Sequence, residues 1–304
     1  MFPLSSRGGP LLLLGCLVAC AGAPSANPPT SAVPATSAVS LRYLGVAGWQ
    51  VNAAGHTLLV DPYFTRHRGE DGEIARTDEE AVRRLSPAQA DVVLVEHSHY
   101  DHLLDVPSVA QRTGATVVGT ESTANVSRAA GLPTERVVVA SGGERLAFGP
   151  FVVQVKKGLH SLIGMPNVPI APNPRLPMRV SDYGEGNTLQ YLVAVGGHRV
   201  MFVGSANFVE AELTGARADV VVLATGLRAK VPSYTCRVLT ALGRPHLVLA
   251  NHFDDFGGPL APGVPLAGLD ADDRADLEAF RAEVHACTPE AKVLVPAHLQ
   301  SFEL

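Results

Sequence analysis

From Ser40 onward, short apolar runs alternate with turn residues, the rhythm of strands joined by tight connections. Leu41–Leu44, Gly48–Asn52 and Thr57–Val60 predict hairpin strands, the last two parted by Ala53-Ala54-Gly55-His56. Thr77 with Glu80 forms a capping-box pair opening a helix to Leu85, and Asp91–Glu96 is a β-branched run suited to a buried strand. Asp105 with Pro107 starts a helix, followed by strand Ala115–Val118, a helix near Ser122–Ala130 and strand Arg136–Val139. Strands then dominate again at Leu146–Phe148, Phe151–Lys157, Thr188–Val195 and His198–Val203. The remainder alternates: helix Val209–Leu213, strand Asp219–Leu223, helix Ser233–Leu242, strand Leu247–Ala250, helix Asp272–Ala286 and strand Lys292–Val295. Strands, then mixed α/β, then the same again predicts two similar halves packed sheet on sheet, an αββα sandwich of the α/β class with helices on both outer faces. A doubly wound parallel sheet ranks second, because no GxGxxG opens a helix after the first strand.

The 304 residues are 46% hydrophobic and 17% charged, enough apolar surface for a sizeable core. Net charge is -5 with the two signs interspersed and no basic run, so nucleic acid is not an expected partner. The amino terminus differs from the rest. Arg7 precedes an apolar stretch from Pro10 to Val18, shorter than the roughly 20 residues of a membrane-spanning helix, and reads as a signal peptide over residues 1–19. Leu17-Val18-Ala19-Cys20 resembles the bacterial lipobox, which implies cleavage before Cys20 and lipidation of its thiol, with Cys16 a weaker alternative. Residues 20–39, rich in Ala, Pro, Ser and Thr, read as a disordered tether, and residues 40–304 as the folded domain. The expected location is that of an exported bacterial lipoprotein at the outer membrane or its periplasmic face, held to the membrane by its acyl chains.

The candidate chemistry begins directly after the Asp91–Glu96 run, where His97-Ser98-His99-Tyr100-Asp101-His102 fits HxHxDH. Residues two apart on an extended segment project to one side, so His97 and His99 can reach one ion while Asp101 and His102 turn toward a neighbouring one. Imidazole nitrogen and carboxylate oxygen together suit zinc, and the same set also accepts iron or manganese.

With Leu44-Gly45-Val46-Ala47-Gly48-Trp49 and Leu59-Val60-Asp61-Pro62-Tyr63-Phe64 ahead of it, this motif resembles the metallo-β-lactamase superfamily. The branches it is most similar to are the ascorbate-6-phosphate lactonase-like and N-acylphosphatidylethanolamine phospholipase D-like ones, over roughly Leu41–Leu304. The resemblance implies a metal site from His97, His99 and His160 and a second from Asp101, His102 and His252, with Asp61 supporting the histidine loop through hydrogen bonds. It also implies a hydrolase in which zinc-bound hydroxide attacks an ester, lactone, phosphodiester or amide bond of a small-molecule substrate, Asp101 orienting the water or accepting its proton. One position departs from the pattern. Where the superfamily has Gly-Asp-Thr with the aspartate bridging two ions, this chain has Gly204-Ser205-Ala206. Loss of that charge weakens the second site, so the expectation is one or two zinc ions, two being favoured by the six remaining ligands. The alternative is a non-catalytic metal- or ligand-binding lipoprotein with a degenerate second site.

Other residues carry weaker signals. Leu162–Gly186 is a long, proline-rich connection that either walls the substrate pocket, with Met165, Leu176, Met178 and Arg175 or Arg179 in contact, or makes a surface excursion. Arg228, Lys230 and Tyr234 read mainly as solvated side chains, secondarily as an anion contact. Asp254 and Asp255 read equally as support for His252 or as ordinary loop carboxylates, Trp49 reads as core, and His56, His198, His246, His285 and His298 as structural or solvated positions, while His67 stays open because the resemblance implies that the loop after Asp61-Pro62 borders the site. Cys236 and Cys287 either pair or stay free and buried.

Overall fold

The computed structural model describes residues 38–70 and 72–304. The proposed signal peptide, Cys20 and nearly all of the tether lie outside the described residues. Val39, grouped with the tether by composition, opens the first strand.

The amino-terminal half supplies β1 (Val39–Gly45), β2 (Gly48–Ala53), β3 (His56–Val60), β4 (Val92–Leu94), β5 (Thr116–Gly119) and β6 (Val137–Val139). Between them lie α1 (Glu79–Leu85), α2 (Tyr100–Leu103), α3 (Val106–Thr113) and α4 (Glu121–Ala129). The second half supplies β7 (Arg145–Phe148), β8 (Phe151–Lys157), β9 (Leu189–Val195), β10 (His198–Val203), β11 (Val220–Ala224), β12 (Leu247–Asn251) and β13 (Lys292–Leu294), with α5 (Glu210–Leu213), α6 (Tyr234–Ala241) and α7 (Ala271–Cys287). A last strand, β14 (Ser301–Glu303), returns to the first half.

Two seven-stranded sheets result, in the orders β14-β1-β2-β3-β4-β5-β6 and β13-β12-β11-β10-β9-β8-β7. The first is antiparallel from β14 to β3 and parallel from β3 to β6, and the second is antiparallel from β7 to β10 and parallel from β10 to β13. The parallel strands are apolar on both faces because each face meets another layer. On β11, Val220 and Val222 enter the core between the sheets, while Val221 and Leu223 enter the core beneath α6 and α7. On β4, Val92 and Leu94 face the opposite sheet and Val93 the helices of the first half. These layers make the αββα sandwich, the metallo-β-lactamase fold.

Three local readings are corrected. Asp78, not Thr77, caps α1: its carboxylate accepts from the amides of Glu80 and Ala81 at 3.0 Å, and a charged acceptor is favoured at a helix amino terminus. The Thr77 hydroxyl instead donates to Leu104 O. β14 was not predicted; its three residues are too few for a periodic signal, and it forms by pairing Ser40 with Glu303 across the edge of β1. Arg228 is neither solvated nor aimed at a ligand, since it is buried between Asp276 and Glu283 of α7. Of the two readings for the cysteines, pairing is the one realised: Cys236 and Cys287 form a disulfide between α6 and the end of α7.

Trp49, fully buried between the sheets, donates its indole N–H to Asn251 Oδ1 at 3.0 Å, linking β2 to the end of β12. Trp49→Phe removes the donor and strands a buried carbonyl, so the unfolding free energy is expected to fall by about 2 kcal/mol in urea titration.

Candidate metal centre

Six candidate ligand side chains come from the ends of three strands. His97 and His99 lie on the extended segment after β4, and Asp101 and His102 in the single turn of α2 that follows. His160 is on the loop leaving β8, and His252 immediately follows β12. Side chains after the parallel strands β4 and β12, one from each sheet, thus converge with His160 after the antiparallel β8.

They form two triads. One ligand atom each from His97, His99 and His160 lie within 4.8 Å of one another, and so do one each from Asp101, His102 and His252. His97 Nε2 is 3.1 Å from His99 Nδ1, and the His160 ring centre is 4.6 Å from those of both His97 and His99. In the second triad, His252 Nε2 is 3.2 Å and His102 Nε2 3.5 Å from Asp101 Oδ2.

The far side of each ring fixes which nitrogen faces inward. His102 Nδ1 donates to Asp61 Oδ2 at 2.6 Å and His160 Nδ1 to the carbonyl of Ser161 at 2.9 Å, leaving their Nε2 lone pairs to the centre. His102 Nε2 and His252 Nε2 are then 3.3 Å apart. Two nitrogens facing each other so closely, beside a carboxylate, are a donor set that fits a cation. Burial and mutual repulsion keep the rings of His97, His102 and His160 neutral: burial, with repulsion from a protonated His102 as the next cause, holds His97 well below its ordinary range, and burial takes His102 down to about 3 despite Asp101. Burial with His99 takes His160 down to about 4. Neutral imidazole is the form that ligates. Burial opposes the charge of Asp101, yet His102 and His252 hold its carboxyl below the usual range. His252 is raised, since the Asp101 carboxylate outweighs its desolvation.

Supporting residues surround the triads. Asp61 accepts from Glu96 N at 2.9 Å through its other oxygen. Asp254 lies behind His252 and accepts from Tyr43 Oη and Val46 N at 2.8 Å, from His298 Nε2 at 2.7 Å and from Arg66 at 3.0 Å. Burial works against its charge, but His298 and Arg66 hold it at about 2. Asp255, by contrast, uses its carbonyl on Arg66 and its carboxylate on Gly257 N. Ser205 is buried in the wall of the site, and its neighbour Ala206 donates from its amide to Ser161 Oγ at 2.7 Å, tying down the His160 loop.

Sequence reasoning did not single out Arg66 or Glu96, and it set His298 aside. Glu96 is buried, both of its oxygens lack a hydrogen-bond partner among the described residues, and it groups with Asp61 and His102. Its carboxylate fills the space where Gly204 would carry a Cβ. A glutamate ending a β-branched strand next to the first histidine was the available signal. His56 pairs with Asp91 at 2.8 Å away from the site, and His67 Nδ1 accepts from Gly69 N at 3.0 Å. Tyr234 is buried against Phe208, and Lys230 donates to Leu162 O.

The Asp61 contact has a measurable consequence. Asp61→Asn keeps the shape but withdraws the charge that orients His102, and metal affinity measured by competition with a chelating dye is expected to fall about 10- to 100-fold.

Residues 56–252 match the model of the beta-lactamase superfamily domain. A UPF0173 metal-dependent hydrolase of Carboxydothermus hydrogenoformans is 29% identical over 172 residues, covering 55% of this chain and 62% of that protein. One of Pyrobaculum calidifontis is 27% identical over 262 residues, covering 84% and 96%. Among solved structures, Igni18, a metallo hydrolase of Ignicoccus hospitalis, superposes with a TM-score of 0.58 at 18% identity over 88% of this chain and 99% of that one. CmlA, a diiron β-hydroxylase of Streptomyces venezuelae, gives 0.56 at 16% over 88% and 54%. At such identities the structural likeness is one of fold. The family match, spanning more than half of the sequence, carries the assignment: the chain belongs to the beta-lactamase superfamily.

Proposed function

We propose that this protein is a metal-dependent hydrolase acting on a small molecule, with two divalent ions, preferably zinc, held by His97, His99 and His160 and by Asp101, His102 and His252. The observation that carries the reading is the convergence of two three-ligand groups at one cleft. The names of the two relatives, both metal-dependent hydrolases, support it. Three protein ligands per ion leave positions open for water and substrate. Bound there, such ions supply Lewis acidity and acidify water.

The chain's own residues do the positioning. Asp101, kept ionised beside His102 and His252 in the second triad, is placed to orient a water at the centre. Asp61 and Ser161 O hold the rings of His102 and His160, and the Asp254 network holds the segment bearing His252. The scissile bond belongs to the ester, lactone, phosphodiester or amide class. The motifs around Asp61 and His97–His102 support the lactonase-like and phospholipase D-like branch. We further propose export and lipidation at Cys20, for which the Leu17–Cys20 sequence and a disulfide suited to an oxidising compartment are the support.

His99→Ala is expected to remove turnover of hydrolysed model substrates and to lower bound metal per chain, measured by elemental analysis after desalting. Full metal content with full turnover in that variant overturns the assignment.

A further inference from the structure

We propose that the cleft takes an uncharged substrate whose non-reacting part is an apolar chain or ring, and that it disfavours phosphate- and carboxylate-bearing molecules. The inference rests on the hydrolytic reading above and narrows its substrate class from ester, lactone, phosphodiester or amide to ester, lactone or amide.

The cleft over the two triads has a volume of about 930 Å³, within the range that holds a drug-sized molecule. Away from the ligands, its wall is formed by Ile163, Met165, Val168, Ile170, Met178 and Phe256. This wall is fixed in place. Ile170 N donates to Ser122 Oγ and Asn125 Nδ2 to Ile170 O, both at 2.9 Å, while Glu185 O accepts from Ser98 N at 2.9 Å inside the histidine motif. Among the described residues, ten large apolar side chains are exposed, and four of them, Ile163, Met165, Val168 and Leu227, line this cleft. Scattered exposed leucines need no explanation, but a collar concentrated at one cleft marks a binding surface. Met165 is 65% and Val168 51% exposed, at positions where an apolar ligand would cover them.

The charges select against anions. Arg175 is the only lysine or arginine among the lining residues, whereas Asp182, Glu185 and Asp273 stand in the lining besides Asp101, and the lining Asp254 and Asp276 are paired with Arg66 and Arg228. Arg228 is consumed by Asp276 and Glu283, and Lys230 by the carbonyl of Leu162. Recognition of phosphate by side chains ordinarily uses a bidentate guanidinium or a cluster of cations, and the lining offers Arg175 alone for it. An acidic rim also lowers the encounter rate of anionic molecules. For an ester substrate the reaction balances simply. The acyl–oxygen bond breaks, the oxygen of water joins the acyl carbon, one proton of that water passes to the departing alkoxide, and a carboxylic acid and an alcohol leave.

Two measurements test this. Titration calorimetry on the metal-free protein with N-octylacetamide and with octyl phosphate isolates the cleft from any affinity of phosphate for metal. Binding of the amide at least 10-fold tighter, with about a 10-fold loss in Met165→Asp, is expected. Equal or tighter binding of octyl phosphate overturns the proposal. On the zinc-loaded protein, kcat/KM should rise at least 10-fold from p-nitrophenyl acetate to the octanoate and exceed that for bis(p-nitrophenyl) phosphate, and a flat or inverted series overturns it. Selective amide binding with no hydrolysis of any of these compounds supports the ligand class and overturns the hydrolytic reading, so the two failures are distinguishable.

Discussion

The structure depends on holding several inward-facing nitrogens and a carboxylate oxygen within contact of one another in a buried place. Such groups repel each other and lose their hydration, so each needs something on its outer side to keep it aimed. For His102 that is Asp61, for His160 the Ser161 carbonyl, and for the segment bearing His252 the Asp254 network. Two of these residues carry backbone strain as well. Asp61 has φ 40° and His252 φ 52°, left-handed values that cost a residue with a β-carbon on the order of 1–3 kcal/mol. The surrounding hydrogen bonds hold both, since Asp61 N donates to Leu94 O and His252 N to Val46 O.

The two-sheet architecture is what makes this hold possible. The four candidate ligands of the first half are on one continuous stretch, but His160 and His252 arrive from the opposite sheet, and His252 must be registered against them. Val46 performs that registration from the β1–β2 turn: its carbonyl receives His252 N, and its amide donates to Asp254. Trp49 adds the bond to Asn251, directly before the ligand. His298, from the segment that leads into β14, bonds Asp254 through Nε2 and receives Ala261 N at Nδ1, which fixes its tautomer. The short final strand therefore does more than cover the edge of β1, because it also anchors the chain that brings His298 to the site.

How much of this was legible in the sequence follows from distance along the chain. The HxHxDH group is contiguous and its geometry is local, so residue order alone points to it. The order of strands and helices was also readable, because runs such as Val220–Leu223 are apolar on both faces and only a layered fold explains them. His160 and His252 came from the resemblance to a family and not from spacing. Glu96 had a local signal in its place beside the first histidine, but Arg66 and His298 left almost no trace. Arg66 meets Asp254 across 188 positions and His298 meets it across 44, and nothing local distinguishes such residues from solvated ones. Arg228 shows the reverse error, a charge that looks available in sequence but is paired with carboxylates 48 and 55 residues on.

The long connection after His160 shows how positioning and selectivity share one piece of chain. Its amino-terminal end is part of the metal centre, since Asn207 Nδ2 donates to His160 O and Ala206 N to Ser161 Oγ. Its carboxyl-terminal end returns to the same centre, where Glu185 O receives both the amide and the hydroxyl of Ser98. Between those two anchors the chain is rich in proline, which limits its conformations without supplying backbone donors, and this suits a wall that must stay open over a cleft. An apolar wall beside polar ligands also lowers the local dielectric, so the charge of Asp101 acts more strongly than it would in water. The segment least regular in structure thus sets both what can enter the cleft and how strongly the ligand residues act on it.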